Sequence, residues 1–206
     1  MNGLFITMEG VDGSGKSLQA KRLFDHLTAR GFNVIITREP GGTKISEQIR
    51  EMIIDKSNTG MAPLTEAFLY AASRAQIVAE LIRPALLDGK IVICDRFLDS
   101  SIAYQGYARG IGPENVDIIN SYATSGLKPD ITFLFDIEPE ASLLRKRQMA
   151  IPDRLESEAL DFHHKVYYGY KALAEKHPER ISIIDASLPP DAIAHMVTEK
   201  VESLLS

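Results

Sequence analysis

Alternation constrains this chain more than any other feature. Apolar runs at Leu4–Met8, Val34–Thr37, Ile91–Cys94, Ile131–Phe135 and Ile181–Ile184 are short, rich in β-branched and aromatic residues, and nearly uninterrupted. Such runs read as strands buried on both faces. Helix-length stretches separate them. The first, Ser17–Arg30, carries Leu18, Leu23, Phe24 and Leu27 at helical spacing and closes near Gly31. Others are expected at Lys44–Ile54, Leu64–Leu87 with Pro84 inside, Pro113–Thr124, Pro139–Gln148, Glu156–Lys176 and Pro190–Leu205. Strands alternating with helices imply right-handed βαβ crossovers. The expectation is a three-layer α/β fold with a central five-stranded parallel sheet flanked by helices. Ligands of such folds bind at the carboxyl ends of the strands, so functional residues should follow each strand.

A length of 206 residues suits a single domain over 1–206 at about 150 residues per domain. With 45% hydrophobic and 25% charged residues it can fold on its own core. The single cysteine, Cys94, can form no internal disulfide, and as a strand residue it reads as a small buried hydrophobe. No secretory segment and no apolar run of ~18 residues is found, which points to a cytoplasmic protein with no membrane partner. The net charge of −5 argues against a nucleic-acid polymer as partner.

The first strand end is the most informative. Gly10-Val11-Asp12-Gly13-Ser14-Gly15-Lys16-Ser17 matches G-x-x-x-x-G-K-[ST], follows a strand and opens a helix. A chance match in a chain of this length has a probability on the order of 1%. Loop N–H groups and the positive end of the helix cradle phosphates, Lys16 reaches the terminal ones, and the Ser17 hydroxyl can ligate Mg²⁺. After the third strand, Asp95 suits a magnesium shell and Arg96 a phosphate. Their plain structural alternatives are a helix cap and a surface ion pair. Arg38-Glu39-Pro40-Gly41-Gly42-Thr43 after the second strand is a rigid turn with an arginine at its mouth, which reads equally well with or without a ligand.

Taken together, the phosphate loop with Asp12 inside it, Arg38 to Thr43, Tyr70-Ala71-Ala72-Ser73-Arg74, Asp95-Arg96-Phe97, Ser100-Ser101-Ile102-Ala103-Tyr104-Gln105-Gly106 and Asp153-Arg154-Leu155-Glu156 resemble the thymidylate kinase family across nearly the whole chain. That family has the P-loop NTPase fold and phosphorylates dTMP to dTDP. Tyr70 and Phe97 stand where the family commonly has phenylalanine and tyrosine, and both exchanges keep an aromatic ring.

The resemblance implies that Gly10, Val11, Asp12, Gly13, Ser14, Gly15, Lys16 and Ser17 hold the ATP phosphates. Asp12 would face the acceptor, meeting its 3′-OH or the magnesium shell. Arg38 and Arg96 would grip the dTMP phosphate, Tyr70 would stack on thymine, and Arg74 would reach a base carbonyl. Ser101, Tyr104 and Gln105 would complete the base and sugar pocket. The bland alternatives are helix core for Tyr70, a surface ion pair for Arg74 and polar turn packing for the other three.

Residues 145–156 carry Arg145, Lys146, Arg147 and Arg154 and read either as a solvated helix end or as a short basic lid over ATP. Val11, Gly13 and Ser14 leave the phosphate loop without an arginine, as in the bacterial-type subgroup, whose catalytic arginine comes from the lid. Arg147 and Arg154 are the catalytic candidates, and Arg145 is assigned to ATP. Glu156 is expected in the outer shell of Mg²⁺ with Ser17 and Asp95 nearer the ion. Asp185-Ala186-Ser187 resembles the adenine-side loop or is an ordinary turn. His163 and His164 point about 100° apart on a helix and read as surface or interface residues. A homodimer is implied, with Ile77, Val78 and Leu81 as a candidate apolar face. The rivals are a UMP, CMP or AMP kinase and a GTP-binding switch or regulatory ATPase. The guanine signature N/T-K-x-D of the switch is missing from the sequence.

Overall fold

The structure, a computed structural model, describes residues 3–147 and 153–205, with residues 146 and 147 described by their backbone. Strands β1 (Phe5–Glu9), β2 (Val34–Arg38), β3 (Ile91–Asp95), β4 (Ile131–Asp136) and β5 (Ile181–Asp185) form one parallel sheet in the order β2-β3-β1-β4-β5. Thr7 of β1 lies opposite Cys94 of β3 and Thr132 of β4. The expectation of strands buried on both faces holds for β1, β3 and β4 and is corrected for the two edges, where Ile36 of β2 and Ile183 of β5 are exposed. An edge strand has a neighbour on one side only, and the helical layers cover the middle of the sheet best.

From β1 the chain builds β2 and β3 on one side, then crosses to β4 and β5 on the other. The order therefore reverses at β1, and a crevice opens beyond its carboxyl end. Helix α1 (Lys16–Ala29) starts there and packs beside α9 (Pro190–Leu205), burying Leu23, Leu27, Val197 and Val201. Between β2 and β3 come α2 (Lys44–Ile54) and α3 (Pro63–Ile77). A π-helical turn at Val78–Ile82 then leads into α4 (Arg83–Leu87). The single helix expected over Leu64–Leu87 is thus interrupted, and Pro84 is the cause. Its nitrogen cannot donate and its ring crowds the preceding turn, so the helix widens until Arg83 N reaches Val78 O.

After β3 a helix was not expected. Yet α5 (Leu98–Ser101) runs into a π-helical segment, Ile102–Ala108, closed by Arg109 N to Tyr104 O at 2.9 Å. Every residue from Phe97 to Gly106 is buried, and a helix buried all round leaves no amphipathic period to read. Beyond it lie α6 (Pro113–Thr124), α7 (Pro139–Arg147) and α8 (Leu160–Lys176); Gln148 lies outside the described residues. Helix α8 begins four residues later than expected because Asp153 Oδ1 accepts the N–H groups of Leu155 and Glu156, both at 2.9 Å, and holds a separate turn.

Two surface assignments change. His163 is buried edge-on against Phe162, while its neighbour His164 bonds Glu140 at 3.0 Å near the surface; the 100° step that separates them sends one inward. Ile77 and Val78 belong to the core, so they cannot be an outer face. Among the described residues no helix is long and apolar enough to cross a membrane.

Candidate active site

Gly10 to Ser17 carries the chain from β1 into α1. Gly10 has φ +137°, and a Cβ there would meet Phe135 O at 2.7 Å. Gly15 precedes the helix at φ +93°, a left-handed conformation that side chains strain. The loop thus turns tightly enough to leave Gly13, Gly15, Lys16 and Ser17 on a cavity wall. Lys16 is buried, and its Nζ donates to Val11 O at 2.7 Å and Ser14 Oγ at 3.3 Å. Burial, then the nearby Arg96, pulls its ammonium down to about 8 against the opposing pull of Asp12, Asp95 and Glu9.

Ser17 Oγ donates to Asp95 Oδ2, joining the start of α1 to the end of β3. Asp12 and Glu156 line the same cavity. These hard oxygens fit Mg²⁺, which takes few protein ligands and completes its octahedron with phosphates and water. A dedicated cage is not built: among the described residues no group of three or more His, Cys, Asp or Glu side chains could hold a metal.

The cavity has a volume of about 330 Å³. Arg38, Tyr70, Asp95, Arg96, Ser101, Tyr104 and Gln105 share its wall with the phosphate loop. Arg96 sits at φ +70°, an uncommon conformation for a residue with a side chain, held by surrounding bonds. Its Nη1 donates to Gly10 O at 3.0 Å, Tyr170 Oη at 3.1 Å and Ser100 Oγ at 3.2 Å. Its Nη2 donates to Asp12 Oδ1 at 2.6 Å, and Tyr104 Oη donates to Asp12 Oδ2 at 2.9 Å. Burial alone would raise the Asp12 carboxyl, but Arg96 and Lys16, with the bonds from Arg96 and Tyr104, hold it well below the usual carboxylate range. Arg38 donates to Pro40 O at 2.7 Å and to both oxygens of Glu47 at 3.0 Å.

The sequence motifs contain Glu39 and Asp153 without assigning them a role, and Glu9 and Arg50 lie outside them. Glu39, Arg50 and Asp153 line the cavity. Glu9 is fully buried and supports it from below. Its Oε1 accepts Phe97 N at 2.7 Å and Ser100 N at 3.3 Å; its Oε2 accepts Ser100 Oγ at 2.5 Å and Tyr170 Oη at 3.0 Å. Burial, then the neighbouring Asp99, pushes this carboxyl up. An acidic residue closing an otherwise apolar strand was the available signal.

Arg74 is placed differently from the expectation. It lies off the cavity wall, buried, with every N–H engaged. Nε donates to Glu39 Oε2 at 2.8 Å, Nη1 to Asn120 Oδ1 at 2.6 Å and Ser101 Oγ at 3.0 Å, and Nη2 to Phe97 O at 2.9 Å, while Nη2 also stands 2.7 Å from Glu39 Oε2 in an ion pair. None remains for a base carbonyl. A buried guanidinium gathers acceptors because an unpaired one would be too costly.

Of the lid residues, Arg145 Nη1 donates to Ala186 O at 2.9 Å, in the loop after β5, where Ser187 Oγ and N cap Asp185 Oδ1 at 2.6 and 2.8 Å. Arg154 is off the cavity wall, donating to Ile53 O at 2.9 Å and Glu66 Oε2 at 2.8 Å. The Arg147 side chain and residues 148–152 lie outside the described residues.

A phosphate loop that shares one cavity with arginines from other strand ends can hold two phosphorylated ligands side by side. A kinase that joins them needs this arrangement. The fold and this site define a nucleotide kinase of the P-loop NTPase class. The thymidylate kinase family model matches residues 8–197. A thymidylate kinase of Caldanaerobacter subterraneus subsp. tengcongensis is 49% identical over 100% of this chain and 98% of its own length. One of Clostridium novyi is 52% identical over 93% of this chain and 94% of its own. The crystal structure of thymidylate kinase from Ehrlichia chaffeensis superposes with a TM-score of 0.80 at 33% identity, covering 98% of this chain and 99% of that one. The chain belongs to the thymidylate kinase family and is a bacterial dTMP kinase.

Proposed function

We propose that the enzyme transfers the γ-phosphoryl group of ATP to the 5′-phosphate of dTMP with Mg²⁺, yielding dTDP and ADP as a step in dTTP synthesis for DNA replication. The shared cavity carries this reading, because Lys16 and Ser17 line it together with Arg38, Arg96, Tyr70 and Gln105. Loop N–H groups of Gly10 to Ser17 and the Lys16 ammonium hold the donor phosphates. Arg38 and Arg96 hold the acceptor phosphate in line and neutralise charge as it gathers, which is most of what such catalysis requires. Asp12 keeps Arg96 and Tyr104 in register at the acceptor. Ser17 and Asp95 would hold Mg²⁺, with Glu156 in its outer shell. Bound there, the ion neutralises phosphate charge.

Tyr70 stacks on thymine, and Ser101 and Tyr104 enclose the base and sugar. Gln105 reads the base edge. Its Nε2 is taken by Glu66 at 2.9 Å, whereas its buried Oε1 has no partner among the described residues, an acceptor suited to thymine N3–H. Arg74 supports this floor through Ser101 and the Phe97 carbonyl. The lid, 145–156, brings Arg147 or Arg154 to the transferring group and Arg145 to the adenine side. The domain, 1–206, works in the cytoplasm as a homodimer, for which exposed Leu64 and Phe68 of α3 supply apolar surface.

The deciding experiment follows ADP formation from ATP with and without dTMP and with and without Mg²⁺. Turnover should require both additions. ADP formation at the same rate without dTMP would indicate an ATPase, and a monomer mass in light scattering would reject the dimer.

A further inference from the structure

Glu66 of α3 is 1% exposed and is not part of the cavity wall. Its Oε1 accepts Gln105 Nε2 at 2.9 Å and Arg109 Nε at 3.2 Å, and its Oε2 accepts Arg154 Nη2 at 2.8 Å and Arg109 Nη2 at 3.2 Å. Burial alone would raise this carboxyl, but the bonds from Gln105, Arg109 and Arg154 hold it below its usual value, so it is ionised at neutral pH. A carboxylate without a proton only accepts. The Gln105 amide must therefore present its NH₂ to Glu66, which turns its carbonyl the other way. That carbonyl oxygen is buried without a partner among the described residues, on a side chain that lines the cavity. Turning the amide over would set its oxygen against Glu66 Oε1, acceptor facing acceptor at hydrogen-bond distance, and leave that buried carboxylate oxygen with the longer bond from Arg109 alone.

We infer that Glu66 is a positioning residue that sets which nucleobases the enzyme accepts. It touches no substrate. By locking Gln105 as an acceptor, it selects pyrimidines that present a ring N–H, as thymine and uracil do at N3, and disfavours cytosine, whose N3 is itself an acceptor. The inference rests on the reading of Gln105 as the residue facing the base edge.

The test is the ratio of kcat/KM for dTMP to that for dCMP in wild type, Glu66→Gln and Gln105→Met. In Glu66→Gln the partner can donate as well as accept, so the Gln105 amide can turn over. The ratio should fall by about tenfold or more, the size expected when one mismatched buried hydrogen bond is relieved. Loss of packing alone would lower both acceptors together and leave the ratio unmoved. Arg109→Lys disturbs the same cluster while keeping the carboxylate on the amide, and should retain the wild-type ratio. If Glu66→Gln folds poorly, Glu66→Gln/Arg109→Gln removes one of the two cations that face position 66, the other being Arg154, and serves the same comparison. A ratio within about twofold of wild type in the Glu66 variant, alongside a collapsed ratio in Gln105→Met, overturns the role of Glu66 and leaves the base reading standing. An unchanged ratio in Gln105→Met overturns the base reading, and this inference with it.

Discussion

Arg96 Nη2 donates to Asp12 Oδ1 at 2.6 Å, tying the turn after β3 to the phosphate loop after β1. The same guanidinium bonds Gly10 O at 3.0 Å, so it grips the loop at two points. Behind it, Glu9 takes the N–H groups of Phe97 and Ser100 and so holds the turn that forces Arg96 to φ +70°. The turn after β3 and the phosphate loop are thereby set relative to each other by protein contacts alone. Reactions governed by positioning gain most from such preorganisation.

Lys16 is the only side-chain cation of the phosphate loop. Lys16→Ala should lower kcat by about 10²-fold or more, the usual cost of losing one preorganised charge at a reacting phosphate. Stability should not fall with it. Folding brings this ammonium from 10.5 down to about 8, so below pH 8 the buried charge opposes folding, and its removal relieves that. Steady-state kinetics and a thermal melt at pH 7 test both halves. More than a tenth of wild-type kcat would contradict the role.

The lid arginines should separate by kinetic signature. Arg145 reaches the loop after β5, so Arg145→Ala should raise KM for ATP with little change in kcat. Of Arg147→Ala and Arg154→Ala, one should lose ~10³–10⁵ in kcat, about 4–7 kcal/mol of transition-state stabilisation, with Kd for dTMP nearly unmoved. All three variants near the wild-type rate would mean that these arginines take no part in catalysis.

Acceptor preference should follow the base and sugar contacts. Losing the thymine methyl removes ~1–3 kcal/mol in an apolar pocket, so dUMP should be roughly 10–200-fold weaker than dTMP yet still accepted. For dCMP the mismatch at Gln105 adds about 1–3 kcal/mol. UMP should fall behind as well, since its 2′-hydroxyl would crowd the Tyr104 ring. The four acceptors, assayed with ATP and Mg²⁺, should rank dTMP, dUMP, then dCMP and UMP. A preference for UMP or dCMP would remove the thymine reading while leaving the kinase fold intact.

Glu9 should make stability fall with pH. Burial pushes its carboxyl in the folded state from 4.5 up to about 7. Its favourable contribution is complete below pH 4.5 and lost as pH rises through 7. Glu9→Gln cannot titrate, so its melting temperature relative to wild type should climb from pH 5 to pH 8. Parallel curves for the two proteins would show that Glu9 does not carry this proton.

The phosphate loop was legible in the sequence because a short contiguous segment of backbone does its work, and Gly10, Gly15, Lys16 and Ser17 suffice to describe it. The five strands were legible for the same local reason, as were Asp95 and Arg96 at a strand end. The interrupted helix at Val78–Ile82 and the one at Leu98–Ala108 were not, since one departs from the helical period and the other is buried on every side as far as Gly106. The buried carboxylates lay further out of reach. Glu9 acts on Ser100, 91 residues away, and Glu66 on Gln105, 39 residues away, and nothing near either glutamate specifies the partner. Arg74 shows the same limit from the other side. Its motif is plain in the sequence, but Glu39, Asn120, Ser101 and Phe97 take all of its N–H groups. A motif records which chemistry a residue type can perform, whereas the free energy of burying a charge decides which partners it must hold, and only the tertiary fold supplies those.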